Sequence, residues 1–139
     1  MTGDTAQVID QLVATWNTRS PERVAALYTE DCYGMDVAIA IPQIGRQGIQ
    51  RMFEAYWHAF PDLEISQDDT VVDGDRVALF WTARGTHLGT IMHIPATGRS
   101  ITAQGVNRLV LQDGKVRETL TIWDVAGMLR ALGLLPDLS

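Results

Sequence analysis

Apolar residues recur along the chain at two periods, and the change of period divides it. Val8, Ile9, Leu12, Val13 and Trp16 form one stripe at helical spacing, which predicts a first helix beginning after Asp4 or Thr5. Ser20 can cap and Pro21 can open a second, short helix running to about Tyr28, closed by the acidic Glu30 and Asp31. The stretch from Cys32 to Pro42 is apolar and poor in helix signals, with Asp36 its sole charge. It predicts a short strand or loop. Ile49, Met52, Phe53, Tyr56, Trp57 and Phe60 follow the i, i+3, i+4, i+7 pattern of a third helix, which Pro61 and Asp62 stop, with His58 on the surface near its end.

From Leu63 the pattern turns to β. Asp73-Gly74-Asp75 reads as a hairpin turn before the strand formers Val77 to Leu88, and Asp113-Gly114 as a second turn joining Ser100–Leu111 to a last strand ending at Trp123. Between the long strands, His87 to Ser100 contains Gly89, Pro95 and Gly98, a connection expected to border a cavity mouth. After Trp123 the period changes again: Val125, Met128, Leu129 and Leu132 predict a short closing helix. Helices, then a strand meander, then a short helix make an α+β domain over residues 1–139, with helices packed on one face of a curved antiparallel sheet. Such a cone offers a pocket at its mouth.

Composition narrows the function. The net charge of −6, without a Lys/Arg cluster, argues against a nucleic-acid partner. Cys32 is the one cysteine, so it can form neither an internal disulfide nor a multi-thiolate metal site; a small buried apolar residue is the simpler reading. No stretch approaches the roughly 20 apolar residues of a membrane span, and the N-terminus lacks a signal peptide's basic start and apolar centre, so a cytoplasmic location is expected. The three His lie far apart, giving no metal site.

Asp124 stands where the last strand gives way to the closing helix. It can be that helix's N-cap, or a carboxylate with a chemical role, and the two are compatible. Strand alternation puts Glu118, Leu120, Ile122 and Asp124 on one face and Thr119, Thr121 and Trp123 on the other. If the first face lines the cavity, Asp124 lies on an apolar wall. Asp36 reads first as a turn residue near Gly34, or as a second cavity carboxylate.

Several segments, in order, resemble one family: AFPDLEI, GDRVALFWTARGTHLG, IPATGRSITAQGVNRLVLQDGKVRE and IWDVAGMLRALGLLP. Nearly the whole chain resembles a SnoaL-like polyketide cyclase of the NTF2-like superfamily. The resemblance implies an NTF2-like cone with a central hydrophobic pocket, and a role in the secondary metabolism of antibiotic biosynthesis. It implies intramolecular aldol ring closure of an aromatic polyketide, with no metal or organic cofactor, by an acidic residue of the last strand. By position that role falls on Asp124. The chain departs from the family pattern at Thr119 and Leu120, where His and Trp are frequent, and at Asn107, where the pattern has His or Asp.

An aldol closure needs a base for an acidic C–H, an acid for the new alkoxide, and donors for enolate oxygens. His87 and Asn107 are the candidate donors, with Gln104 behind them; for His87 a hydrogen bond to the backbone near Gly89 is the structural alternative. Arg84 and Arg108 could meet an acidic substrate or snorkel to the rim. Tyr33, Met35, Asp36, Tyr56, Trp81, Gln104, Leu120 and Ile122 complete the expected pocket. Related chemistries on this scaffold (hydroxylation, epoxide opening, ether-ring closure, isomerisation) and non-catalytic binding of a hydrophobic molecule are the alternatives. Thr, Val and Leu side chains on the far face of the sheet predict a homodimer.

Overall fold

A computed structural model describes residues 2–137; the expected domain bounds 1–139 run past them at both ends. In chain order the elements are α1 (Thr2–Trp16), α2 (Pro21–Ala25), β1 (Tyr28–Asp36), β2 (Pro42–Ile44), α3 (Gly45–Ala59), β3 (Glu64–Asp73), β4 (Arg76–Thr86), β5 (Ser100–Gln112), β6 (Lys115–Trp123) and α4 (Val125–Ala131). The predicted helices are all present. The second ends at Ala25, so Tyr28, Glu30 and Asp31 belong to a strand instead of closing a helix.

Six strands form one sheet in the order β2-β1-β6-β5-β4-β3. The meander β3 to β6 is antiparallel throughout, as its two turns require. β1 departs from the expected all-antiparallel sheet, because it runs parallel to β6. Local pattern could not reveal that pairing, whose partners lie more than 80 residues apart. Register shifts mark bulges, with Asp68 the extra residue in β3 and Arg117 in β6; a bulge bends its strand and increases the local twist.

The core lies between the concave face and the helices. Ile9, Leu12, Val13 and Trp16 of α1 are buried, as are Ile49 and Phe53 of α3, against Val77, Leu79, Leu109 and Val116 of the sheet. Polar side chains fasten the layers. The Asn17 amide donates to the Ile65 carbonyl at 2.9 Å and accepts the Ile65 N–H at 2.8 Å, pairing with β3 as a strand residue would. Asp62 accepts both the N–H and the hydroxyl of Thr86 at 2.7 Å, which ties the end of α3 to the end of β4. Together these hold one end of the cone open between α3 and the sheet.

Candidate active site

The concave face carries two adjacent rows of side chains. In one, Leu79, Asn107, Thr121 and Asp36 are register partners across β4, β5, β6 and β1. In the next, Trp81, Gly105 and Trp123 are partners across β4, β5 and β6. Gly105 is small for a steric reason: a Cβ there would come within 3.0 Å of the Trp81 indole and of Trp123 Cβ. The two indoles thus share the space above it. They floor a hollow of about 680 Å³, its open mouth included, which Met52, Phe53, Tyr56 and Phe60 of the α3 segment roof and Ile101 and Ala103 flank.

Asp36 is wholly buried, at 0% exposure, at the polar end of this hollow. Three donors converge on it. Tyr56 donates its hydroxyl to Oδ2 at 2.5 Å, Trp123 Nε1–H reaches Oδ1 at 3.2 Å, and the Ala38 amide reaches Oδ1 at 2.9 Å. The Ala38 contact makes Asp36 a turn residue, as its position near Gly34 suggests, while the other two make it a cavity carboxyl. Burial, and after it the negative charge of Asp36 and the hydrogen bond to it, push the Tyr56 phenol above its ordinary range. Tyr56 meets Trp123 edge to face, with ring centroids 6.0 Å apart.

Asn107 sits in the same row and is fully committed. Its Oδ1 accepts Trp81 Nε1–H at 2.7 Å, and its Nδ2 donates to the hydroxyls of Thr119 and Thr121, each at 2.9 Å. It positions the floor of the hollow and has no free N–H for an enolate.

Other expected site residues lie elsewhere. Asp124 is exposed and caps α4, its Oδ1 accepting Gly127 N–H at 2.8 Å. The cap reading therefore holds, and the apolar wall expected around Asp124 is absent. His87 is buried outside the hollow, against Phe60. Its Nδ1 accepts the Thr97 N–H at 3.2 Å and meets the Thr97 hydroxyl at 2.9 Å, which fastens the loop before β5. Its partner is Thr97 rather than the backbone near Gly89.

Tyr33, Met35, Gln104, Leu120 and Ile122 also miss the hollow, and one cause covers them all. Side chains alternate along a strand, so choosing the wrong face of β6 displaces every residue paired with it. Leu120 and Ile122 face outward, with Met35 beside Leu120 on β1. The face that looks inward bears Thr119, Thr121 and Trp123. Thr121 and Trp123 are thus lining residues outside the expected pocket set. Asp36, Tyr56 and Trp81 are where the sequence put them. Among the described residues no three His, Cys, Asp or Glu side chains converge as a metal site would require, and no helix is long and apolar enough to cross a membrane.

The fold and the hollow can be compared with known proteins. The sequence profile of the SnoaL-like polyketide cyclases matches residues 6–132. The chain belongs to that family. No curated protein sequence matches it closely enough to add a relative. AclR, a candidate hydroxylase from Streptomyces galilaeus, is 26% identical with a TM-score of 0.87, covering 100% of this chain and 91% of its own. IdmH, a candidate polyketide cyclase from Streptomyces antibioticus, is 28% identical with a TM-score of 0.81, covering 93% and 98%. TerC, co-crystallised with polyporic acid, shares the fold at 17% identity and a TM-score of 0.74, covering 94% and 98%.

The last strand brings one hydroxyl, that of Thr121, and one indole, that of Trp123, into the hollow. The carboxyl stands one strand over, on β1, in register with Thr121.

Proposed function

We propose that this SnoaL-like protein is a polyketide cyclase that closes a ring by intramolecular aldol chemistry, with Asp36 and Tyr56 as its acid/base pair. The observation that carries the reading is the 2.5 Å hydrogen bond between a wholly buried carboxyl and a phenol that lines the hollow. The exposure of Asp124 and its capping bond favour Asp36 over the position where the family resemblance had put the acid.

The proton bookkeeping closes without an added reagent. An acidic C–H between two carbonyls gives its proton to the Tyr56 oxygen as the phenol proton passes to Oδ2 of the buried Asp36. The enolate carbon then attacks a second carbonyl of the same molecule, and the new alkoxide recovers the proton. A positioned acid/base of this kind contributes about 10²- to 10⁴-fold. Folding a flexible chain into reactive geometry between the indoles and α3 supplies the rest.

The test is product formation from linear and partly cyclised aromatic polyketide acids, followed by mass spectrometry, for wild type, Asp36→Asn and Tyr56→Phe. The expected result is a ring product from wild type and its loss in Asp36→Asn. Undiminished turnover in a folded Asp36→Asn would dispose of the assignment. A second reading, hydroxylation, is favoured by the likeness to AclR over the full length of the chain. It requires dioxygen, so oxygen uptake during turnover separates it from aldol closure.

We further infer a homodimer that buries the convex face. Phe80, Val106 and Ile122 form a register row across β4, β5 and β6, with Phe80 42% and Ile122 46% exposed. Apolar side chains adjacent in space form the kind of patch that a two-fold interface covers.

A further inference from the structure

The hydrogen-bond polarity of the floor makes a specific demand on the substrate, resting on the reading of the hollow as its site. An indole N–H can only donate, so Trp81 fixes Oδ1 of Asn107 as the acceptor and its other end as the NH₂ group. That NH₂ spends both hydrogens on the oxygens of Thr119 and Thr121. Each hydroxyl therefore accepts from Asn107 and keeps its own hydrogen free, and neither donates to any partner among the described residues. Thr119 is buried and does not line the hollow; Thr121 is half-buried and does.

We infer that the Thr121 hydroxyl is a substrate-binding donor that receives a carbonyl oxygen, beside the Tyr56 hydroxyl that relays the adjacent acidic hydrogen to the buried Asp36 carboxyl. Thr121 and Asp36 are register partners on neighbouring strands, and such strands run about 4.8 Å apart. A carbonyl with an acidic C–H or enolic O–H within one or two atoms spans that interval. The substrate class that follows is a fused-ring ketone bearing such a hydrogen at one end, its hydrocarbon remainder lying between Phe60, Ile101 and the indoles. A ring system without a carbonyl at that end leaves the Thr121 donor unpaired.

Thr119 supplies an internal control, because it makes the same bond to Asn107 without facing the hollow. The experiment titrates wild type, Thr121→Val, Thr121→Ser and Thr119→Val with 2-tetralone and with tetralin, which differ in the carbonyl, and follows binding by the indole fluorescence, to which Trp16, Trp81 and Trp123 in the wall of the hollow contribute. Thr121→Val is expected to lower the affinity ratio of 2-tetralone to tetralin by about three- to tenfold, the span of one hydrogen bond. Thr121→Ser and Thr119→Val should leave that ratio near the wild-type value. An unchanged ratio in Thr121→Val, or an equal fall in Thr119→Val, overturns the inference. The readout is binding alone, so it stands or falls apart from any loss of turnover in Asp36→Asn.

Discussion

Asp36 and Asp124 are both acceptors of backbone N–H groups, yet their substitution should separate cleanly. Asp36→Asn keeps an acceptor for Trp123 and Ala38 and should fold, while turnover falls about 10²- to 10⁴-fold. Asp124→Ala removes the cap bond to Gly127, which costs roughly 1 kcal/mol. For a domain of this size that is a fall of about 4 °C in Tm by calorimetry, with turnover unchanged. The pair of variants, assayed together, divides a chemical aspartate from a capping one. Both aspartates were visible in the sequence as isolated acids in apolar surroundings. What the sequence could not supply was burial, because a cap residue and a cavity carboxyl occupy similar strand-end contexts.

Tyr28 and Tyr56 give a pH signature at the same scale. Burial pushes both phenols above their ordinary range, with Trp16 donating to Tyr28 and Tyr56 donating to Asp36. A raised folded-state pKa means that above about pH 10 the unfolded chain loses protons that the native chain keeps. Stability is therefore full below pH 10 and declines as pH rises beyond it. Absorbance at 295 nm, followed beside circular dichroism in an alkaline titration, should show these two phenols ionising together with loss of the fold and not before it.

At the scale of elements, β6 decides most of the site. Its two faces look alike to a hydropathy pattern, since Leu120 and Ile122 are the more apolar pair and yet face outward. The inward face keeps Thr119 and Thr121 because Asn107, itself oriented by Trp81, satisfies their oxygens. A buried polar row is stable when its members pair with one another. Gly105 is the other element-level device. Gly105→Ala should displace Trp81 or Trp123, cost about 1–3 kcal/mol by overpacking, and weaken 2-tetralone and tetralin alike, as the same fluorescence titration would show. α3, by contrast, was legible throughout: the helical stripe correctly names Ile49 and Phe53 as core and Tyr56 as a residue with a second use.

At the scale of the whole molecule, the convex face yields a further prediction. Light scattering after size exclusion should give a dimer for wild type and a monomer for Ile122→Glu, whose charge would stand at the β6 end of the apolar row. A wild-type monomer would end the dimer inference without touching the hollow, which is built within one chain.

The sequence by itself determined the helices, the meander, the α+β class and the family, because each rests on local period, turn chemistry or ordered motifs. It also named Asp36, Tyr56 and Trp81 as pocket residues. Only the tertiary structure decided which face of β6 looks inward and which aspartate is buried. The physical reason is that alternation along a strand has two equivalent phases. Pairing with a distant strand, here β1 running parallel to β6, puts Asp36 beside Thr121, and no local pattern contains that contact.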